Sequence, residues 1–488
     1  MKRFPDFLRL VRLGTGILLL ASFADEANAQ NGEGGIRMPA PAFQTEVPHE
    51  PVDLVLVRPT RDAITLSVRT AEDSEGYVEW RAEADSAPAR IPNRAFPAGK
   101  PVEVELASLQ PATRYRYRVY YRRPGASDWS VTRENSFTTA RSPGSEFVFT
   151  IQADSHLDYG TSPEVYRRSL DLAVSSGPDF HIDLGDTFMT DKYAEYSQAA
   201  AHYRAQRYYL GRIGQTAPVF LVLGNHDGEM QGRRRDADPD GMAVWSNEMR
   251  KSHFPNPVPN GFYTGNTVRH PRAGLLQDYY EFEWGDAQFL VLDPFWYSKR
   301  SGGRGGDNWS RTLGEEQYRW LERSLERSRA RYRFVFLHHL VGGESREGRG
   351  GAEASLYYEW GGRDANGTNV FAARRPGWSM PIHDLLRKHH VSAVFHGHDH
   401  FYARQERDGI LYLLVPQPGH ARSDTVRSAP EYGYLSGTLL GPPGIVRVRV
   451  GPSQAAVEYV RPRMSAANSL DPSAGEIADR QVLKPVNR

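Results

Sequence analysis

The chain has no cysteine among its 488 residues. Disulfides, thiolate zinc sites, cysteine nucleophiles and a lipidated N-terminal cysteine are therefore excluded. A chain of this length buries enough core to fold without cross-links. An excess of either charge is also missing. Sixty Lys and Arg against 59 Asp and Glu leave a net charge of +1, which implies no preference for nucleic acid or a membrane surface. Long hydrophobic runs are scarce. The apolar stretch at residues 14–23 is too short to span a bilayer, which needs about 20 residues. It follows Lys2, Arg3, Arg9 and Arg12 and precedes Ala27-Asn28-Ala29, the basic, apolar and small-residue series of a secretory signal. The expectation is a signal peptide over 1–29, cleavage after Ala29, a periplasmic or secreted protein, and no membrane span in the mature chain. The length implies two or more domains.

What is present is concentrated in five short blocks, each at the end of an apolar run. They are Asp154-Ser155-His156, Gly185-Asp186, Gly224-Asn225-His226-Asp227, His338-His339 and Gly397-His398-Asp399-His400. The runs before them, 147–151, 180–182, 219–223, 334–337 and 391–395, read as buried strands. Continuous apolar strands belong to sheets covered on both faces. Open α/β sheets place their sites at strand carboxyl ends. Carboxylate, amide and imidazole are donors that suit divalent metals. A single strand-end histidine is more often a structural group, but four of them in matching blocks argue for ligation.

In order and spacing the blocks resemble the D-x-H, GD, GNH[D/E], H, GH-x-H pattern of the calcineurin-like metallophosphoesterases, over roughly residues 146–462. The resemblance implies an α/β four-layer (αββα) sandwich with two divalent metal ions. One ion would take Asp154, His156, Asp186 and His400, the other Asp186, Asn225, His338 and His398. Asp186 has two carboxylate oxygens and can bridge. Two cations about 3.5–4 Å apart clamp a phosphoryl group and acidify a shared water, so the nucleophile is hydroxide rather than a side chain. His226 directly follows a ligand and takes the role of general acid or phosphate donor, with Asp227 to orient it. His339 sits behind the ligand His338 without binding metal. His181, His383, His389 and His390 fall outside the pattern and read as structural. Asp183 is expected on the opposite face of its strand; Asp158 and His202 could reach the pocket, but nothing in the sequence requires it. The implied activity is hydrolysis of a phosphorylated small-molecule substrate, with monoesters ahead of diesters or nucleotides. The intact ligand set argues against a binding-only relative, and a non-catalytic cell-surface binding protein dominated by the N-terminal domain ranks last, because that domain is under a quarter of the chain.

Residues 30–46 read as a polar linker. Over 47–140 the pattern changes to short alternating strands, an all-β sandwich. The stretch Leu109-Gln110-Pro111-Ala112-Thr113-Arg114-Tyr115 resembles the tyrosine corner of a fibronectin type III domain. Such a domain before a metallophosphoesterase resembles the purple acid phosphatases. It reads as a spacer or stability module ahead of a frame for the site, since folds do not specify functions. That family carries D-x-G and GD-x-x-Y, where this chain has His156 and Met189. A ferric–tyrosinate centre is therefore not expected, and the ions are drawn from Mn, Fe, Zn or Co. Helices are expected over 164–175, 194–211 and 314–329, with another starting at Pro381. Insertions lie at 301–308 and 342–369. The second leaves the strand that carries His338, so it should set the room at the site. Strands over 445–450 and 455–459 should close a sheet edge, and 463–488 read as a disordered tail.

Overall fold

The computed structural model describes residues 43–231, 241–298, 307–343, 348–463 and 475–486. The expected signal peptide, most of the linker and most of the 301–308 insertion lie outside the described residues.

The N-terminal part is all β. Val52–Val57, Ile64–Thr70 and Val102–Leu106 form one antiparallel sheet. A second sheet is built around the antiparallel pair Ser74–Ala82 and Arg114–Arg122. Alternation puts Leu54, Leu56, Leu66, Val68, Val78, Val104, Tyr117, Val119 and Phe137 into one core. The expected corner is present: the Gln110 backbone N–H donates to the Tyr115 hydroxyl at 2.8 Å.

The larger part is a four-layer sandwich of two β-sheets between helices. The first sheet runs in the order Val219–Leu221, Phe180–Asp183, Phe147–Gln152, Ile445–Val450, Ala455–Pro462, Gly475–Leu483. The second centres on parallel Ala287–Val291, Tyr332–Phe336, Ala393–His396 and Ile410–Leu414. Their facing sides are aromatic. Phe149 packs edge-on to Phe289 at 5.1 Å, and Phe180 does the same, a preferred geometry for such rings. Helices Pro163–Ser175 and Tyr196–Gly214 cover the first sheet, and Glu315–Arg327 and Ile382–Lys388 the second. All four expected helices form, with ends shifted by up to a few residues.

The C-terminus departs from expectation. Ile445–Val450 is not an edge; it pairs antiparallel with Phe147–Gln152 in mid-sheet. The reading of 463–488 as disordered does not hold for Gly475–Leu483, a strand antiparallel to Ala455–Pro462. It is an outermost strand whose side chains are half-buried or exposed. Its polar composition therefore resembles a tail.

Candidate metal centre

The five blocks converge where the strands of both sheets end. Asp154, His156 and His400 form one group, and Asp186, His338 and His398 a second; within each, the ligating atoms lie within 4.8 Å of one another. Asp154 Oδ1 is 3.6 Å from Nε2 of both His156 and His400. Asp186 Oδ2 is 3.2 Å from His338 Nε2 and 3.6 Å from His156 Nε2, so it faces both groups. Asp186 Oδ1 is taken by the His226 backbone N–H at 2.7 Å. Asp186 Oδ2 is thus the oxygen that would be offered to cations, because Oδ1 anchors the Gly224–Asp227 turn. That turn also carries Asn225, whose Oδ1 is buried.

The donor set fits cations. Asp154 Oδ1, His156 Nε2 and His338 Nε2 are buried and have no hydrogen-bond partner among the described residues. Protein interiors pair their polar atoms, and here three orphans converge. His338 Nδ1–H donates to the Leu184 carbonyl at 2.8 Å, which leaves the Nε2 lone pair turned into the site. His156 Nδ1 lies 3.3 Å from Asp158 Oδ2, so Asp158 does reach the pocket, as an orienting group. Burial pushes His400 down to about 4 and His398 well below the usual range, where Arg349 adds to the effect. Burial opposes a charge on His338 too, but Asp186 and Asp154 outweigh it and raise His338 to about 9. The imidazoles around Asp186 overcome burial and hold its carboxyl well below the usual carboxylate range.

The ligand loops are strained and tightly apposed. Asp154, His156, Asp186, His398 and His400 all have left-handed φ, between 41° and 80°. Such φ values at non-glycine residues cost of order 1–3 kcal/mol each and cluster at functional sites. A Cβ on Gly224 would strike the backbone and carboxylate of Asp186, so only glycine lets those two loops meet.

His226 projects at the rim, its side chain 20% exposed. Its Nδ1 lies 3.0 Å from both oxygens of Asp191. The carboxylate that holds His226 is thus Asp191, not Asp227 as expected. Asp227 accepts instead from the backbone N–H groups of Asp186, Thr187, Phe188 and Gly224. Its carboxyl is raised to about 7 by burial and by Asp186. Asp191 belongs to no block, and only its place five residues after Asp186 hinted at a role. His339 packs against the His398 ring at 5.2 Å. Asp183 bonds to Gln152, Gly185 and Thr187 beneath the ligand loop. His202 bonds to Tyr193 at 3.0 Å and also meets the Thr187 backbone, next to Asp186, so it lies within reach of the site. The 342–369 insertion does lock onto the site: Arg349 donates to Asp399 at 2.9 Å and to the His398 carbonyl at 3.3 Å.

The sequence profile described as Calcineurin-like phosphoesterase matches residues 147–402, more than half of the chain. The chain belongs to the calcineurin-like phosphoesterases. This phosphoesterase is similar in structure to PhoD, with a TM-score of 0.63 at 16% identity over 94% of each chain. It is also similar to the purple acid phosphatase PPD1 from yellow lupin (Lupinus luteus) seeds, with a TM-score of 0.57 at 16% identity over 88% of this chain and 74% of that one. At that identity the likeness is one of fold. Among curated proteins nothing matches the phosphoesterase. No helix among its described residues is long and apolar enough to cross a membrane.

Proposed function

We propose that this phosphoesterase is an exported phosphomonoesterase working with two divalent cations drawn from Mn, Fe, Zn or Co. The observation that carries the reading is the pair of Asp/His groups beside one rim histidine already seated on a carboxylate. Two cations bound there neutralise phosphoryl oxygens and lower the pKa of a water toward neutrality. The remaining steps belong to side chains. Asp191 accepts from His226 Nδ1–H and fixes the ring, so Nε2 is the nitrogen left to deliver a proton to the departing oxygen. Asp158 and the Leu184 carbonyl fix the rings of His156 and His338 in the same way. Arg349 ties the 342–369 insertion to the block that carries His398 and His400. The placing of monoesters ahead of diesters rests on the sequence resemblance to the purple acid phosphatases, and a substrate screen tests it. Export is supported by the basic, apolar and small-residue series over residues 2–29.

The test is a substrate screen of metal-loaded protein against p-nitrophenyl phosphate, its bis-ester and nucleotides. We expect kcat/KM on the monoester to exceed that on the bis-ester by at least about tenfold, or 1.4 kcal/mol. The reverse order would overturn the monoester assignment. Two bound metals with no hydrolysis of any ester would overturn the enzyme assignment. For export, N-terminal sequencing of protein from the periplasm or medium should begin at Gln30; an intact Met1 refutes it.

A further inference from the structure

Behind the two ligand loops lies a closed ring of buried hydrogen bonds. Gln206, on helix Tyr196–Gly214, donates from Nε2 to Ser155 Oγ at 2.9 Å and to the Thr187 carbonyl at 2.8 Å. Ser155 separates Asp154 from His156, and Thr187 follows Asp186. Tyr166 donates its hydroxyl proton to Gln206 Oε1 at 3.3 Å. Gln152 Nε2 donates to Tyr166 at 2.9 Å and to Asp183 Oδ2 at 2.6 Å. Thr187 Oγ1 closes the ring on Asp183 Oδ1 at 2.7 Å. Gln152, Tyr166, Asp183 and Gln206 have no exposed surface. A carbonyl can only accept, so the Gln206 atom facing Thr187 must be the amide nitrogen.

We infer that Gln206 is a positioning residue for the metal centre, setting the separation of the Asp154–His156 loop from the Asp186 loop. Three features carry this. Among the described residues, Gln206 is the side chain that bonds to both loops at residues adjacent to candidate ligands. It binds no ligand itself, so its effect passes through backbone placement. The loops it joins carry the left-handed φ values of Asp154, His156 and Asp186, a conformation that persists only where surroundings hold it. The next residue, Arg207, is equally buried and grips the N-terminal domain through Asp53 and Ser67. The register of Gln206 is therefore fixed from outside the phosphoesterase sandwich.

The inference rests on the two-cation reading above, and the experiment separates the two. Mn(II) alone is titrated into wild type, Gln206→Met, Ser155→Ala and the double variant, followed by elemental analysis and electron paramagnetic resonance. Wild type should bind two Mn(II) and show a spin-coupled pair. If it binds none, both readings fall. Folded Gln206→Met should bind its second Mn(II) about 10-fold or more weakly, the range for groups that orient ligands. Its spectrum should shift from a coupled pair toward isolated ions. Ser155→Ala removes one acceptor and should weaken binding less. Its effect should vanish in the Gln206→Met background, because the two share one interaction. Wild-type affinity and spectrum in folded Gln206→Met would overturn the role of Gln206 while leaving the metal centre intact. If Gln206→Met does not fold, Ser155→Ala decides: unchanged affinity and spectrum overturn the role, and weaker binding with a changed spectrum supports it.

Discussion

At the scale of single residues, the site divides atoms between holding metal and holding the fold. Asp186 presents one oxygen to both histidine groups and gives the other to the His226 N–H. Asp186→Asn cannot satisfy both demands. With its oxygen toward the metals, its amide meets a donor N–H; flipped, its amide faces the cations. Metal content by elemental analysis should fall from about two per chain, and unchanged stoichiometry with unchanged activity would sink the bridge. His226 makes the opposite case. His226→Ala should retain both metals and lose roughly 10²–10⁴-fold in rate. The loss should be greatest on alkyl phosphates, whose leaving oxygen needs the proton, and smaller on p-nitrophenyl phosphate. Asp191→Asn should reproduce that leaving-group dependence in milder form. Equal losses on good and poor leaving groups would remove the general-acid role. The sequence disclosed the candidate ligands because each belongs to a recognisable block. It did not disclose Asp191, Gln206 or Arg349, which reach the site from an intervening turn, a helix and an insertion.

At the scale of elements, the strands that deliver ligands were readable because they are buried on both faces and so uniformly apolar. Gly475–Leu483 was not, since an outer strand with exposed side chains has the composition of a loop. Within the readable strands one polar pair stands out. Thr150 and His181 face each other in the parallel pairing of Phe147–Gln152 with Phe180–Asp183, and Thr150 Oγ1 lies 2.8 Å from His181 Nδ1. Burial lowers His181 to about 3. The folded state thus holds the neutral ring, while the unfolded chain binds a proton near the ordinary value of about 6.5. The contribution to stability is present above that pH and is lost as pH falls from about 6.5 toward 3. At pH 5 the loss amounts to about 2 kcal/mol. Urea unfolding of His181→Gln should show a flatter dependence between pH 7 and 5 than wild type; parallel curves would mean that the ring is not held neutral.

At the scale of the whole molecule, the N-terminal sandwich and the phosphoesterase share polar interior. Arg207 is fully buried and reaches Asp53, Ser67 and the His253 carbonyl, joining both parts. Arg141 pairs with Asp179, which also accepts from the Trp284 indole. The spacer role favoured from sequence had no sign of this, because Arg207 lies in an ordinary helical pattern. Breaking such a buried pair costs about 3–5 kcal/mol. Arg207→Met should therefore lower the urea midpoint strongly. It should also split the single unfolding transition expected of wild type into two; one unsplit transition would show that the domains are coupled elsewhere. The pairing of Phe147–Gln152 with Ile445–Val450 has a consequence in time rather than space. The two strands are separated by roughly 300 residues. Ribosomes add about 5–20 residues per second, so the first strand waits about 15–60 s for its neighbour. During that interval the aromatic partners Phe289, Phe334 and Phe395 emerge, but one lateral edge of the Phe147–Gln152 strand stays unpaired. Closure of the first sheet is thus tied to synthesis of the segment from Ile445 onward.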